Sequence, residues 1–193
     1  MYENLEALEE AANKCDRCEL CKNRNHLIFG CGPKDCDIMV IGEGPGEEED
    51  NKGELFIGKS GRLMQQAFIG LGIDREKLYL TNIIKCKCPN NRTPYKNEIN
   101  SCLDYLRNQV ILIKPKIIVL MGNVALKAIL GDSYGITSAR GKWIELKGIK
   151  YLPTFHPAAL LRDETKKIDF WNDFELVKKE CDNLNIDISL YNN

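Results

Sequence analysis

The chain has 193 residues, enough for one domain with a sizeable core. With 44% hydrophobic and 28% charged residues and no apolar run long enough to span a bilayer, it has the composition of a folded domain and not of a membrane protein. A net charge of −1 excludes a protein that coats nucleic acid over its whole surface, so any such contact must be a local patch.

The first stretch, MYENLEALEEAANKC, is acidic and amphipathic, unlike a secretory signal, and Leu5, Leu8, Ala11 and Ala12 predict a helix over 3–14. The expected compartment is therefore the reducing cytoplasm, where disulfides are a poor account of nine cysteines. CDRCELC comes next. CDIMVIG (36–42) is a short apolar run ending in glycine, a buried strand feeding a loop. GEGPGEEEDNKGELFIGKSG then reads as one long glycine-rich loop. Within it, GELFIGKS (53–60) satisfies the phosphate-loop pattern letter for letter. That pattern needs a strand before it, and EGPGEEEDNK is no strand; its acids would repel a triphosphate. Nucleotide binding is excluded on those grounds.

GRLMQQAFIGL (61–71) has helical spacing, KLYLTNII (77–84) is a second strand, and CKCPNNRTPYK is a loop. Residues 96–113 carry helical spacing through Ile99, Cys102, Leu103, Leu106, Val110 and Ile113. KIIVLMG (116–122) is a third strand, followed by a helix over 123–131 closed by Gly131. Residues 140–147 and 149–154 form a strand pair around Gly148, HPAALLR (156–162) is a loop entering a turn, and 168–184 is an amphipathic helix. Continuously apolar strands alternating with helices predict a parallel sheet covered on both faces, with ligands bound beyond the strands' carboxyl ends. GEGPG, Asn82 with KCKCPNNR, GNVA and TFHPAALLR occupy those ends and should converge.

Cys15, Cys18 and Cys21, together with Cys86, Cys88 and Cys102, suit either tetrahedral zinc or an iron–sulfur cluster, and spacing alone does not choose between them. Cys31, Cys36 and Cys181 stand apart and read as small buried hydrophobes. His156, held extended by Pro157, should project its imidazole into the shared crevice; His26 receives no role. Leu160 and Leu161 read either as core residues of a short helix or as an apolar wedge for a base stack, with Arg162 on phosphate. Phe56 either anchors its loop or walls a planar ligand. Lys85, Lys87, Arg92 and Lys96 would alone be an ordinary solvated basic face.

Taken together, CxxC, GEGPGEEED, GELFIGKSG, YLTNIIKC, CPNNRTP, the later Cys102 and HPAALLR resemble the family 4, iron–sulfur uracil-DNA glycosylases, from Cys15 to about Arg162. The resemblance implies a single three-layer α/β/α domain over 1–193, with a central, mostly parallel four-stranded sheet and an N-terminal cluster-binding segment. It implies a [4Fe–4S] cluster on Cys15, Cys18, Cys86 and Cys102, with Cys21 and Cys88 outside the family pattern. The implied activity is hydrolytic release of uracil from DNA by a cytoplasmic monomer with no membrane partner. Asn82 would read O4 and N3–H, Phe56 would stack on the base, Glu49 would exclude a 5-methyl group, and the backbone at Gly44 would approach O2. His156 would stabilise the departing anion, and Ser60, Leu160 and Arg162 would meet the DNA. Where a related family uses Asp to activate water, this chain has Gly44, so either Glu43 positions the water or attack follows a dissociative step unaided. An iron–sulfur DNA-binding module without glycosylase activity and a glycosylase for another deaminated base such as hypoxanthine are the alternatives. Covalent uracil-trapping relatives are excluded, because no His lies in CKCPNNRTP.

Overall fold

The computed structural model describes residues 2–190. In chain order the main elements are α1 (Leu5–Asn13), β1 (Ile38–Gly42), α2 (Glu47–Lys52), α3 (Lys59–Leu71), β2 (Tyr79–Asn82), α4 (Lys96–Ile113), β3 (Ile117–Met121), α5 (Gly122–Leu130), α6 (Ile136–Ala139), β4 (Ile144–Leu146), β5 (Ile149–Thr154), α7 (Pro157–Arg162) and α8 (Lys166–Asn183). The strands form one sheet in the order β2-β1-β3-β5-β4. The expected four parallel strands are β2, β1, β3 and β5; the fifth, β4, pairs antiparallel with β5 at the edge. Lys147 and Gly148, both at positive φ, close that hairpin with the backbone twist that suits a two-residue turn.

Alternation along the strands splits the core in two. Met39, Ile41, Ile118 and Leu120 face one side, against Leu5 and Leu8 of α1, Leu103 and Leu106 of α4 and Leu126 of α5. Ile38, Val40, Ile117 and Val119 face the other, against Met64 and Phe68 of α3 and Phe170, Phe174 and Val177 of α8. Phe174 lies 4.9 Å from Phe68 and 4.8 Å from Phe170, ring centre to ring centre. The result is the expected three-layer α/β/α arrangement. Among the described residues no helix is long and apolar enough to cross a membrane.

Two short helices replace expected loop. α2 lies within the glycine-rich stretch, and α7 begins at Pro157 with His156 as its N-cap. Pro suits a first helical position, where its missing N–H would have had no partner. Because α2 and not a strand precedes Gly53, the phosphate-loop pattern lacks its required setting.

Candidate functional site

The carboxyl ends of β1, β2 and β5 open on one cleft of about 690 Å³. Its lining includes Glu43, Gly44, Glu49, Phe56, Ser60, Asn82, His156 and Arg162, so the loops after β1, β2 and β5 converge as expected, whereas GNVA after β3 contributes no lining residue. Asn82 ends β2 and is 1% exposed, yet its Oδ1 has no hydrogen-bond donor. His156 follows β5. Its Nδ1 accepts the Ala158 N–H at 3.2 Å, which leaves the ring proton on Nε2, and Nε2 is buried without a protein partner. Burial and the nearby Arg162 charge hold the imidazole pKa down at about 4. The ring is therefore neutral near pH 7 and offers a single N–H to the cleft. One unpaired acceptor and one unpaired donor, both out of water, define a pocket built for a polar planar ligand.

Glycines make that pocket possible. A Cβ at Gly42 would stand 2.4 Å from Asn82 Oδ1 and 3.0 Å from the Phe56 ring, so any side chain there would displace both. A Cβ at Gly44 would meet Ile84 at 2.6 Å; Ile84 fills the space a side chain at 44 would need. Phe56 is 6% exposed and adopts φ 54°, a left-handed conformation that a bulky residue holds only when its surroundings impose it. The Arg75 guanidinium does so, donating to the carbonyls of Leu55 (2.5 Å) and Phe56 (3.2 Å). Glu49 accepts the Gly58 N–H at 2.9 Å, which ties α2 to the Phe56 loop. Burial pushes the Glu43 carboxyl above the ordinary carboxylate range, and the Arg162 charge draws it partly back.

Five of the six candidate ligand cysteines, all but Cys21, gather on the α1–α4 side of the sheet. Cys15, Cys18 and Cys102 pack against the same apolar cluster that contains Cys86 and Cys88. Three of the sulfurs receive hydrogen bonds: Arg24 Nη1 donates to Cys86 Sγ and the Lys85 backbone N–H to Cys102 Sγ, each at 3.3 Å, and Arg92 Nη1 donates to Cys88 Sγ at 3.7 Å. Such N–H···S donors suit a set that must be deprotonated to ligate metal. No three His, Cys, Asp or Glu side chains among the described residues close to the spacing of a site for one ion. Cys88 also lines the cleft.

Some expectations change. Leu160, expected on DNA, is 2% exposed and packs into the α3–α8 core, the other reading its sequence allowed; Leu161, 50% exposed, is the leucine that lines the cleft. Adjacent residues of a helix lie about 100° apart, and α7 turns only one of the two outward. Cys31 is exposed, whereas Cys36 and Cys181 are buried as expected. Lys85 leaves the basic surface stretch altogether: it is 0% exposed, and its ammonium donates to Thr81 Oγ1 (2.5 Å), Gln109 Oε1 (2.7 Å) and the Asn82 carbonyl (2.9 Å). Asn91, at φ 51°, and Ile84 line the cleft without having been singled out. The tolerance of Asn for left-handed backbone was the one local signal for the former.

The family model of the uracil DNA glycosylase superfamily matches residues 29–175. The chain is 41% identical to the Type-4 uracil-DNA glycosylase of Thermotoga maritima over 86% of its own length and 88% of the relative's. It is 37% identical to that of Sulfurisphaera tokodaii over 92% and 84% of the two chains. With that of Archaeoglobus fulgidus it shares 33% identity over 93% and 94%.

Proposed function

We propose, from the premise that this chain belongs to the uracil-DNA glycosylase superfamily, that it excises uracil from DNA by hydrolysing the N-glycosidic bond of deoxyuridine, with Asn82, Phe56 and His156 as the core of its base pocket. The observation that carries the residue assignment is the pair of buried, unpartnered atoms in one cleft, Asn82 Oδ1 and His156 Nε2.

An everted uracil stacks on Phe56. Its N3–H donates to Asn82 Oδ1, and O4 accepts from the same amide; cytosine, which reverses both groups, leaves them mismatched. Glu49, which lines the cleft, excludes a 5-methyl group and holds the loop that carries Phe56. When the bond from C1′ to N1 breaks, its electron pair leaves with uracil and spreads onto O2. The His156 Nε2–H donates to that oxygen, a preorganised contact worth ~3–4 kcal/mol by analogy with oxyanion holes. Water then adds to C1′, and the proton it loses ends on the uracil anion by way of solvent, so that a neutral sugar and neutral uracil remain. Glu43 is the carboxylate next to Gly44 and is the group we assign to orienting that water. Ser60 and Arg162 contact phosphate at the cleft rim, and Leu161, in place of Leu160, enters the vacated stack.

The cofactor belongs to the same reading. Cys15, Cys18, Cys86 and Cys102 would hold a [4Fe–4S] cluster, which supplies a covalent brace between the N-terminal segment and the loop after β2. We take the enzyme to act on DNA as a monomer in the cytoplasm, where its free cysteines stay reduced.

A labelled oligonucleotide holding one uracil tests the assignment. Wild-type protein should release uracil, and Asn82→Ala and His156→Ala should each slow release by about 100-fold to 1,000-fold while keeping the cluster's visible absorption. Release at the wild-type rate by His156→Ala would remove the imidazole from the mechanism. A duplex carrying hypoxanthine, run in parallel, separates the uracil reading from one of a different deaminated base.

A further inference from the structure

α2 is only six residues long, but it carries two neighbouring buried carboxylates with opposite partners. Glu49 reaches forward to the Gly58 N–H in the loop of Phe56. Asp50, 1% exposed, reaches back to the segment that follows the first cysteines. Its Oδ1 accepts the backbone N–H groups of Asn25 (3.0 Å) and His26 (3.3 Å), and its Oδ2 accepts Asn25 Nδ2 (3.0 Å). The contact is reciprocal, because His26 Nδ1 donates to the Asp50 carbonyl at 2.7 Å. Asn25 Nδ2 also reaches Asn51 Oδ1 at 3.0 Å. The His26 ring lies over Gly53, the left-handed cap of α2, where a Cβ would come within 3.3 Å of it.

The same segment grips the cysteine side through its preceding residue. Arg24 donates to Cys86 Sγ (3.3 Å) and to the Asn13 carbonyl (3.1 Å). A path of hydrogen bonds joined by short backbone links therefore runs from Cys86 through Arg24, Asn25 and His26 to Asp50, and through α2 and Glu49 to Gly58 in the loop of Phe56. No part of this path is a surface ion pair of the kind that contributes little. Asp50 accepts three hydrogen bonds out of water, and hydrogen bonds to a charged acceptor are the stronger kind.

We propose that Asp50 is a positioning residue: through α2 it ties the cysteine-bearing segment to the wall of the base pocket, so that the order of that segment sets the placement of Glu49 and Phe56. This rests on the reading of the cleft as the uracil pocket. It assigns a role to His26 and explains how a brace on the far side of α2 bears on base recognition without electron transfer.

The test compares Asp50→Ala and Asn25→Ala with wild-type holoprotein. Hydrogen exchange over residues 53–58, inhibition by free uracil, and visible absorption are measured on each. Asp50→Ala should speed exchange at Gly58 and raise the inhibition constant for uracil by roughly tenfold each, a 1.4 kcal/mol effect, with exchange in β1 and β3 unchanged. Asn25 is exposed, so Asn25→Ala keeps the fold and should move both readouts the same way by a smaller factor. Unchanged exchange over 53–58 in the two variants would overturn the proposal, as would acceleration spread evenly through the sheet in Asn25→Ala. Either result leaves uracil excision by the wild type standing. Conversely, wild-type protein that fails to excise uracil would sink the pocket assignment while the exchange data still report on the latch.

Discussion

The two strand ends that carry the pocket's unpaired atoms are braced by opposite chemistries. Behind His156, at the end of β5, Asp173 of α8 accepts the Arg140 guanidinium through both oxygens (3.0 and 2.5 Å) and the Thr154 hydroxyl (2.7 Å). Behind Asn82, at the end of β2, Lys85 sits fully buried among neutral acceptors, with no carboxylate among its hydrogen-bond partners. Gln109 completes the second network by donating to the Phe29 carbonyl and the Tyr79 hydroxyl, each at 3.0 Å. An ion pair stabilises its surroundings only while both members are present. A buried ammonium without a carboxylate partner carries a desolvation cost that the nearby Cys102 charge offsets only in part, and burial lowers the Lys85 pKa to about 7. The β5 end is thus held by a paired charge, although burial still raises the Asp173 carboxyl pKa. The β2 end holds the Asn82 backbone at a net energetic expense.

Removing each brace sharpens that contrast. Asp173→Ala leaves the mostly buried Arg140 with only Asp169 (3.1 Å) as a carboxylate partner and Thr154 without its acceptor, a loss of ~2–3 kcal/mol in denaturant unfolding. Lys85→Met should change unfolding by only about 1 kcal/mol, because the donors lost to Asn82 and Gln109 are offset by relief of the buried charge. Its effect should fall on excision instead, on the order of tenfold to a hundredfold, since Asn82 loses the anchor of its own carbonyl. Equal destabilisation by the two substitutions would erase the distinction.

The α7 leucines extend the comparison beyond His156. Leu160→Ala removes a core side chain and should cost ~2–4 kcal/mol of stability. Leu161→Ala should leave unfolding within about 0.5 kcal/mol of wild type. It should lower excision from duplex DNA several-fold, and lower it less from a single strand, where no stack has to be filled. A stability loss for Leu161→Ala matching that of Leu160→Ala would return the wedge to the residue first expected.

What the sequence made legible follows from where its signals are strong. β1, β2 and β3 are buried on both faces, so they stand out as apolar runs, and the loops after them had to share one end of the sheet. That route singles out Asn82 and His156 as strand-end residues; Phe56 stands in a glycine-bounded loop, and its stacking role, like the base-reading role of Asn82, comes from the family resemblance. α2 was not, because EEEDNK has no apolar residue to show a helical period. α7 was obscured by Pro157, which reads equally as an extended-chain residue or a helix start, and without the helix the two leucines could not be told apart. Lys85 lies among lysines and an arginine that are otherwise at the surface; its burial depends on Thr81, Gln109 and Phe29 meeting around it, which one segment of sequence cannot reveal. His26 is understood only once Asp50 is placed beside it.

The smallest expected effect is one of shape in the pH dependence, and it separates His156, at the end of β5, from Glu43, which follows β1. Ordinary imidazole titrates near pH 6.5, but His156 is held at about 4, so its neutral Nε2–H form persists at every pH above that value. Single-turnover excision should therefore show no inflection near pH 6.5. Glu43 shifts the other way: burial raises it, so its carboxylate is lost as pH falls through a value above the ordinary carboxylate range. An acid limb from Glu43 should appear there in the wild type and vanish in Glu43→Gln, with the remaining rate flat across neutrality. A limb near pH 6.5 that survives in Glu43→Gln would mean that the imidazole charges during turnover. The neutral donor would then have to give way to an imidazolium facing the departing uracil.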